Sequence, residues 1–285
     1  LHTHSTASDG DLSPSDLVNE AQKRGIGVLA LTDHDTLGGL AEAAKAAKTA
    51  SIGFVPGIEI SIDWRRESEV SWLGPGGEMH LLGLGIRSPS QAFLKAISEL
   101  ALRREARNRK ILDLMHELSI EATWEELTAL SGGHSIGRPH FAALLIRRKI
   151  VRNHEQAFAR YLGQGKPLYV PKVGLAFEEA AALIRESGGI PVLAHPMSLF
   201  VAWGRLPDLI KTLKDRGLMG LEAWHPTTKP KSCRRLEELG KTLGLHVTEG
   251  SDFHGSAWPN RKLGWSSKGR EISSDLLDGM PDLRV

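Results

Sequence analysis

Histidine is frequent in this sequence, with 12 copies in 285 residues, and it recurs beside carboxylates. His2 and His4 stand two apart, which places both rings on one face of an extended strand. Asp33-His34-Asp35 follows the apolar run Val28 to Leu31, Glu59 sits within Gly57-Ile58-Glu59-Ile60, and His80 lies within Met79-His80-Leu81. Further along, His195-Pro196 follows Leu193-Ala194, Glu222 and His225 lie on either side of Ala223-Trp224, and Ser251-Asp252-Phe253-His254 ends the series. Any one of these could be a capping carboxylate, a loop histidine or a satisfied core group. All of them follow or interrupt apolar strand patterns, and burying so many unpaired polar groups would be costly. The set therefore predicts convergence at one mouth of a barrel, where enzymes of that architecture place their catalysis. Imidazole and carboxylate donors without thiolates suit divalent cations such as Zn²⁺, Mn²⁺ or Fe²⁺.

The elements that must position these residues read as an α/β chain. Ser13-Pro14 opens a helix as cap and first helical residue, and Gly25 closes it. Strand patterns follow at Val28 to Thr32, Phe54 to Ile62 and Met79 to Ile86, with an Ala-rich helix over about 39 to 49. Between about 90 and 170 the period becomes helical, through Phe93, Leu94, Ile97, Leu100, Ile111, Leu112, Leu114 and Met115. Strands return at Ile190 to Ala194, Met219 to Ala223 and Leu245 to Thr248. Alternating βα units predict a parallel sheet covered on both faces. Residues 1–89 and 171–285 are thus expected to form one barrel domain and 90–170 a helical insertion. The stretch from Trp64 to Gly77, rich in charge and glycine, is expected to be a mobile loop.

Hydrophobic residues make up 41% and charged residues 25%, an ordinary globular balance. No apolar run reaches the roughly 18 residues of a membrane span. The net charge, 36 − 34 = +2, is too small to indicate nucleic-acid binding from bulk charge alone. The single cysteine, Cys233, excludes an intramolecular disulfide framework and a cysteine zinc site. It fits a reducing compartment, with the cytoplasm as the expected location, and Cys233 itself is expected to pack inertly. Because the chain opens on Leu1 rather than Met, a few residues are expected to precede it, and these could carry a targeting signal.

The motifs Leu1-His2-Thr3-His4-Ser5, Ser8-Asp9-Gly10, Thr32-Asp33-His34-Asp35, Pro56-Gly57-Ile58-Glu59, Ala194-His195-Pro196 and Gly250-Ser251-Asp252-Phe253-His254 together resemble the PHP (polymerase and histidinol phosphatase) family. They span almost the whole chain in the family's order. The resemblance implies a distorted (β/α)7 barrel holding two to three divalent ions, Mn²⁺ foremost, with Zn²⁺ or Fe²⁺ as alternatives. One ion would be held by His2, His4, Glu59 and Asp252. A second would share Glu59 and add His80 and His195, and a third would take Asp9, His34 and His254. Some relatives carry His where Asp9 stands, which bears on the third site. The long Trp64 to Gly77 stretch bears on the placement of His80. Paired divalent ions can lower the pKa of a water between them and neutralise phosphoryl oxygens, so no Ser or Cys nucleophile is required.

Within the family, the helical insertion carrying Gly137-Arg138-Pro139-His140 is similar to small phosphoesterases acting on nucleoside 3′,5′-bisphosphates, some of which also trim short RNA from its 5′ end. Arg103 and Arg107 lie four apart on one helical face with Asn108 beside them, and Arg138 and His140 sit at a glycine-led turn into a helix. Arg107, Asn108, Arg138 and His140 are the expected clamp for a second phosphate, since a guanidinium grips phosphate oxygens in a fork. Lys172 is a further candidate. His225, at a strand end, is the candidate acid or hydrogen-bond donor. The expected activity is release of the 3′-phosphate from a small nucleotide substrate, leaving the 5′-monophosphate, with no membrane or obligate protein partner. The alternatives are a 5′-to-3′ exonuclease on short RNA, a histidinol-phosphate-type phosphatase, and a metal-stabilised module without catalysis.

Overall fold

The computed structural model describes residues 1–64, 77–133, 135–256, 258–277 and 280–285; most of the segment expected to be a mobile loop lies outside them. Ser13 caps α1 (Pro14–Lys23) by accepting from the Asp16 N–H, and Leu17, Val18 and Ala21 form its buried stripe. Then come β1 (Val28–Leu31), α2 (Leu40–Ala50), β2 (Gly53–Ile62) and β3 (Met79–Leu84). The helical stretch comprises α3 (Gln91–Glu117), α4 (Trp124–Leu130), α5 (Arg138–Arg147) and α6 (His154–Ala157), the last running into a π turn over Phe158–Leu162. Alternation resumes with α7 (Phe177–Glu186), β4 (Ile190–Leu193), α8 (Leu206–Asp215), β5 (Gly220–Trp224), α9 (Pro230–Thr242) and β6 (His246–Glu249).

The described strands form one curled sheet of six in the order β1-β2-β3-β4-β5-β6. Two sequence expectations need correction. The sheet is mixed rather than parallel, because β3 runs antiparallel to both β2 and β4. No described helix lies between β2 and β3, and a parallel return needs a long crossover, usually a helix. A seventh strand is also absent among the described residues. The Leu1–His4 segment that would supply it makes only a single parallel bridge, Thr3 to Phe253. It still spans the gap between β1 and the chain after β6, through the Thr32 N–H donating to the Thr3 carbonyl (2.9 Å), the His4 N–H to the Phe253 carbonyl (2.9 Å) and the Asp252 N–H to the His2 carbonyl (2.9 Å).

The reversal of β3 matters for the site. Its first residues lie at the same end as the last residues of the parallel strands, so His80 joins His34, His195, His225 and Asp252 at one mouth. Helix α3 joins two apolar cores. Its first half, with Phe93, Ala96 and Leu100, packs on the sheet with Leu81, Phe177 and Ile184. Its last turns, with Ile111 and Met115, belong to a separate cluster with Leu127, Phe141, Leu145 and Leu162. At about 1.5 Å per residue this 27-residue helix is about 40 Å long. Arg104, Arg107 and Asn108 fall between its two cores.

Candidate functional site

Glu59, buried in β2, is the hub. Its Oε1 lies 2.8 Å from His80 Nδ1 and 2.9 Å from His195 Nε2. Its Oε2 lies 2.9 Å from His34 Nδ1, 3.2 Å from His4 Nε2 and 3.3 Å from His2 Nε2. Asp252 Oδ1 approaches the same two rings, 3.3 Å from His2 Nε2 and 3.2 Å from His4 Nε2. Asp9 Oδ1 is 3.4 Å from His254 Nε2, and the His4 and His254 rings stack at 4.0 Å. All nine residues expected as ligands therefore meet at one mouth. The donor atoms of eight of them fall into three groups, each compact enough for one ion: His2, His4, Glu59 and Asp252; His34, Glu59 and His80; and His4, Asp9, His34 and His254. The second group has His34 where His195 was expected; the His195 ring meets the cluster through Glu59 Oε1.

The residues present fit divalent cations. Among the described residues, His4 Nδ1, His34 Nδ1 and Glu59 Oε2 are buried without a hydrogen bond, and a coordinate bond would satisfy such atoms. Electrostatics point the same way. Burial works to raise Glu59 and Asp252, yet the surrounding imidazoles, with Arg261 beside Asp252, hold both well below the carboxylate range. Burial works to lower His4, yet the Asp252 and Glu59 carboxylates beside it lift it to about 9. Burial pulls His34 down to about 3 and lowers His80, which leaves these rings neutral beside ionised carboxylates, as metal ligands must be.

Buried neighbours fix the rings. Glu222 Oε1 bonds His2 Nδ1 (3.0 Å), and its Oε2 accepts from the His195 N–H (2.7 Å). Burial works to raise this carboxyl too, but His2 holds it at about 2. Such outer carboxylates set ring orientation and raise ligand basicity. Ser198 Oγ bonds His195 Nδ1 at 2.7 Å. Asp33 accepts from the Ser5 N–H (2.7 Å) and from the Ser5 and Ser8 hydroxyls (2.6 Å each), tying the loop after His4 to the end of β1. Asp35, His195 and Asp252 hold positive φ of 53°, 28° and 46°, backbone strain of the kind that clusters at functional sites.

One cavity of about 230 Å³ runs from this cluster to a group of cations. Asp9, Glu59, His80, His195 and Asp252 line it together with Arg104, Arg107, Arg138 and Lys172, and Lys172 Nζ lies 3.2 Å from His80 Nε2. His225 stands between Thr227 and Asp252. Thr227 donates its N–H to His225 Nδ1 (3.3 Å), which puts the proton of the neutral ring on Nε2, 3.0 Å from Asp252 Oδ2. Burial pushes this ring below the ordinary histidine range despite Asp252 and Glu222.

The clamp differs in detail from the sequence reading. Asn108 does not line the cavity. Its amide donates to the Ile136 carbonyl (2.7 Å) and its oxygen accepts from Arg107 (3.2 Å), so it holds Arg107 in place. His140 is also turned away, accepting the Gly137 N–H at 2.8 Å to cap α5, because a ring two residues inside a helix start can reach back to the free amide there. Arg103 bonds the Gly174 carbonyl at 3.1 Å. Arg104, three residues before Arg107 and so on its face, takes the place expected of Arg103 and is paired with Asp35. Burial, with Arg138 and Arg104 nearby, pulls Arg107 down to about 9, so it stays charged at neutral pH. Glu78, Arg261 and the rings of Phe158 and Trp258 also line the cavity. No motif marks them in the sequence, although their closeness to His80, Asp252 and the Arg138 helix becomes a signal once the fold is known. Cys233 is buried, as expected. Asn108→Ala should therefore weaken the clamp only through Arg107, raising KM for a phosphate-bearing substrate several-fold with kcat little changed. A fall in kcat alone, measured by phosphate release, would place Asn108 in the chemistry instead.

The model for the PHP domain matches residues 1–167. The chain belongs to the PHP family. As a PHP chain it is a metal-dependent phosphoesterase. A 5′-3′ exoribonuclease of Haemophilus influenzae is 34% identical, over 98% of this chain and 95% of the relative. A 3′,5′-nucleoside bisphosphate phosphatase of Chromobacterium violaceum is 31% identical, over 93% of this chain and 90% of the relative. Among solved structures, a Bifidobacterium adolescentis protein described as a metal-dependent phosphoesterase superposes with a TM-score of 0.82 at 26% identity, over 97% of this chain and 93% of that one. No helix among the described residues is long and apolar enough to cross a membrane.

Proposed function

We propose that this PHP chain removes the 3′-phosphate from nucleoside 3′,5′-bisphosphates, giving the 5′-monophosphate and inorganic phosphate. The observation that carries this reading is one cavity lined both by the histidine–carboxylate cluster and by Arg104, Arg107, Arg138 and Lys172. Such a cavity suits a small substrate with two phosphates. His2, His4, Glu59 and Asp252 would hold one divalent ion, Glu59, His80 and His195 a second, and Asp9, His34 and His254 a third; Mn²⁺ is the ion proposed. When bound, these ions supply charge neutralisation at the reacting phosphoryl group and an acidified water.

The chain's own residues do the rest. Arg107, Arg138, Arg104 and Lys172 grip the phosphate that does not react. His225 lines the same cavity, and turning its Nε2–H away from Asp252 would offer it to the reacting phosphoryl group or its leaving oxygen. Glu222 and Ser198 keep His2 and His195 from turning. Residues 90–170, proposed as a helical insertion domain, place Arg107 and Arg138 over the mouth. The second reading, a 5′-to-3′ exonuclease on short RNA, draws on the name of the Haemophilus relative, and a diester at the same 3′ oxygen would use the same cluster. The helical roof and the local clamp favour the smaller substrate.

The test is a panel with added Mn²⁺: a bisphosphate, an aryl phosphate, histidinol phosphate and a short 5′-phosphorylated RNA. The bisphosphate should have the highest kcat/KM, with the 5′-monophosphate accumulating. Accumulation of the 3′-monophosphate would reverse the proposed orientation, and a higher kcat/KM on RNA would replace the reading with the nuclease. Arg107→Ala and Arg138→Ala should each cost bisphosphate turnover about 1.5–3 kcal/mol, the scale of a charged hydrogen bond. Aryl phosphate hydrolysis should change much less, because that substrate has nothing for the clamp to hold.

A further inference from the structure

Glu78 places a negative charge inside the phosphate clamp. Its Oε2 lies 2.7 Å from Arg138 Nη2, 3.4 Å from Lys172 Nζ and 3.7 Å from His80 Nε2. A carboxylate between a guanidinium and an ammonium occupies the position an anionic ligand would take. Glu78 comes from the chain just before β3, whereas the arginines come from α3 and α5.

The cations have anchors of their own. Arg107 is bonded to Asn108, Arg104 is paired with Asp35, Lys172 lies 3.2 Å from His80 Nε2, and Arg138 stacks over Phe158 at 5.5 Å. Holding them in place does not require Glu78. Arg261, the other cation lining the cavity, is paired with Asp252. With Asp35 and Glu78 counted against Arg104, Arg107, Arg138 and Lys172, the clamp carries 4 − 2 = +2. That balances one phosphate dianion, and neutralising Glu78 would leave an excess.

We propose that Glu78 is an affinity-limiting residue of the clamp, whose charge stands in for the phosphate when the site is empty and weakens the hold on a dianionic phosphate when it is full. The inference rests on the bisphosphate reading. A fixed carboxylate repels a dianion about twice as strongly as a monoanion at the same distance. Removing its charge must therefore tighten both ligands, the dianion more. The consequence is release: the 5′-monophosphate product keeps the clamped phosphate, and a site without Glu78 would hold that product longer.

The experiment is calorimetric titration of the metal-loaded chain with adenosine 5′-monophosphate and with its methyl ester, a monoanion. It is run at about pH 8, above the phosphate's second pKa of about 6. Glu78→Gln keeps the shape and removes the charge. The expected result is a Kd for the monophosphate lower by about tenfold or more, a smaller gain for the ester, and stronger product inhibition in turnover. Glu78→Asp, which keeps the charge on a shorter arm, should gain less for the monophosphate than Glu78→Gln. The proposal is overturned if a folded Glu78→Gln chain binds the monophosphate no more tightly, or more weakly, than the parent, or if both ligands gain equally. If the parent hydrolyses the bisphosphate and binds its product but the variant fails to tighten, only the role of Glu78 falls. If the parent does neither, the functional reading falls with it.

Discussion

Glu59→Gln should lower turnover by about a thousandfold or more, the scale reached when a group that stabilises transition-state charge is lost, and should lower bound metal below one ion per chain. Glu59 is the residue least replaceable by its neighbours, because its two oxygens face five imidazoles, those of His2, His4, His34, His80 and His195. The amide keeps the size but offers one acceptor where the carboxylate offers two, and it carries no charge. Elemental analysis of the purified chain reads the metal, and phosphate release reads the rate. Chelation of the parent should abolish turnover and Mn²⁺ should restore it; an active parent without bound metal would sink the mechanism. The pH dependence has a definite sign. With no ion bound, His4 holds its proton up to about 9, and a metal ligand must lose it. Metal affinity should thus rise with pH across the range below about 9, by about tenfold per pH unit for each proton released.

The residues that converge at the mouth were legible in the sequence because their type and place coincide. His34, His195, His225 and Asp252 each follow an apolar strand run, and strand ends of an α/β sheet share one mouth. His80 shows how strand direction can mislead while the site survives. The strand pattern around it predicts a parallel sheet, but it starts a strand that runs the other way, and that reversal is what brings it to the mouth. The clamp was less legible for a geometric reason. A helix places residues three and four apart on nearly the same face, so sequence alone could not choose between Arg103 and Arg104 as partner to Arg107. Asn108 and His140 are polar groups beside the site whose bonds serve the backbone of Ile136 and Gly137; the pattern marks their nearness but not their direction. Glu78 and Arg261 had no pattern at all, since they reach the cavity only through long-range packing.

Gly250→Ala should disrupt the metal centre without touching a ligand. Gly250 follows β6, where its N–H donates to the Trp224 carbonyl at 3.1 Å. A Cβ built there would lie 2.5 Å from His2 Cβ and would overlap Glu222 Oε1. Both neighbours are fully buried and bonded to each other, so neither can yield cheaply. Overpacking of this kind costs about 1–3 kcal/mol of stability. The larger effect falls on His2, because the group that must move is the carboxylate orienting its ring, and loss of such a partner typically costs about 10–100-fold in metal affinity or activity. Glu222→Gln separates the two effects. It leaves the space filled and removes the charge, so it should weaken metal binding with little loss of melting temperature, whereas Gly250→Ala should lose both. Equal metal affinity in the parent and a folded Gly250→Ala chain would mean that the contact between Glu222 and His2 does not govern the centre. Adding Glu222→Ala to Gly250→Ala should restore part of the melting temperature by removing the overlap, yet leave metal affinity low, because His2 would still lack its orienting carboxylate.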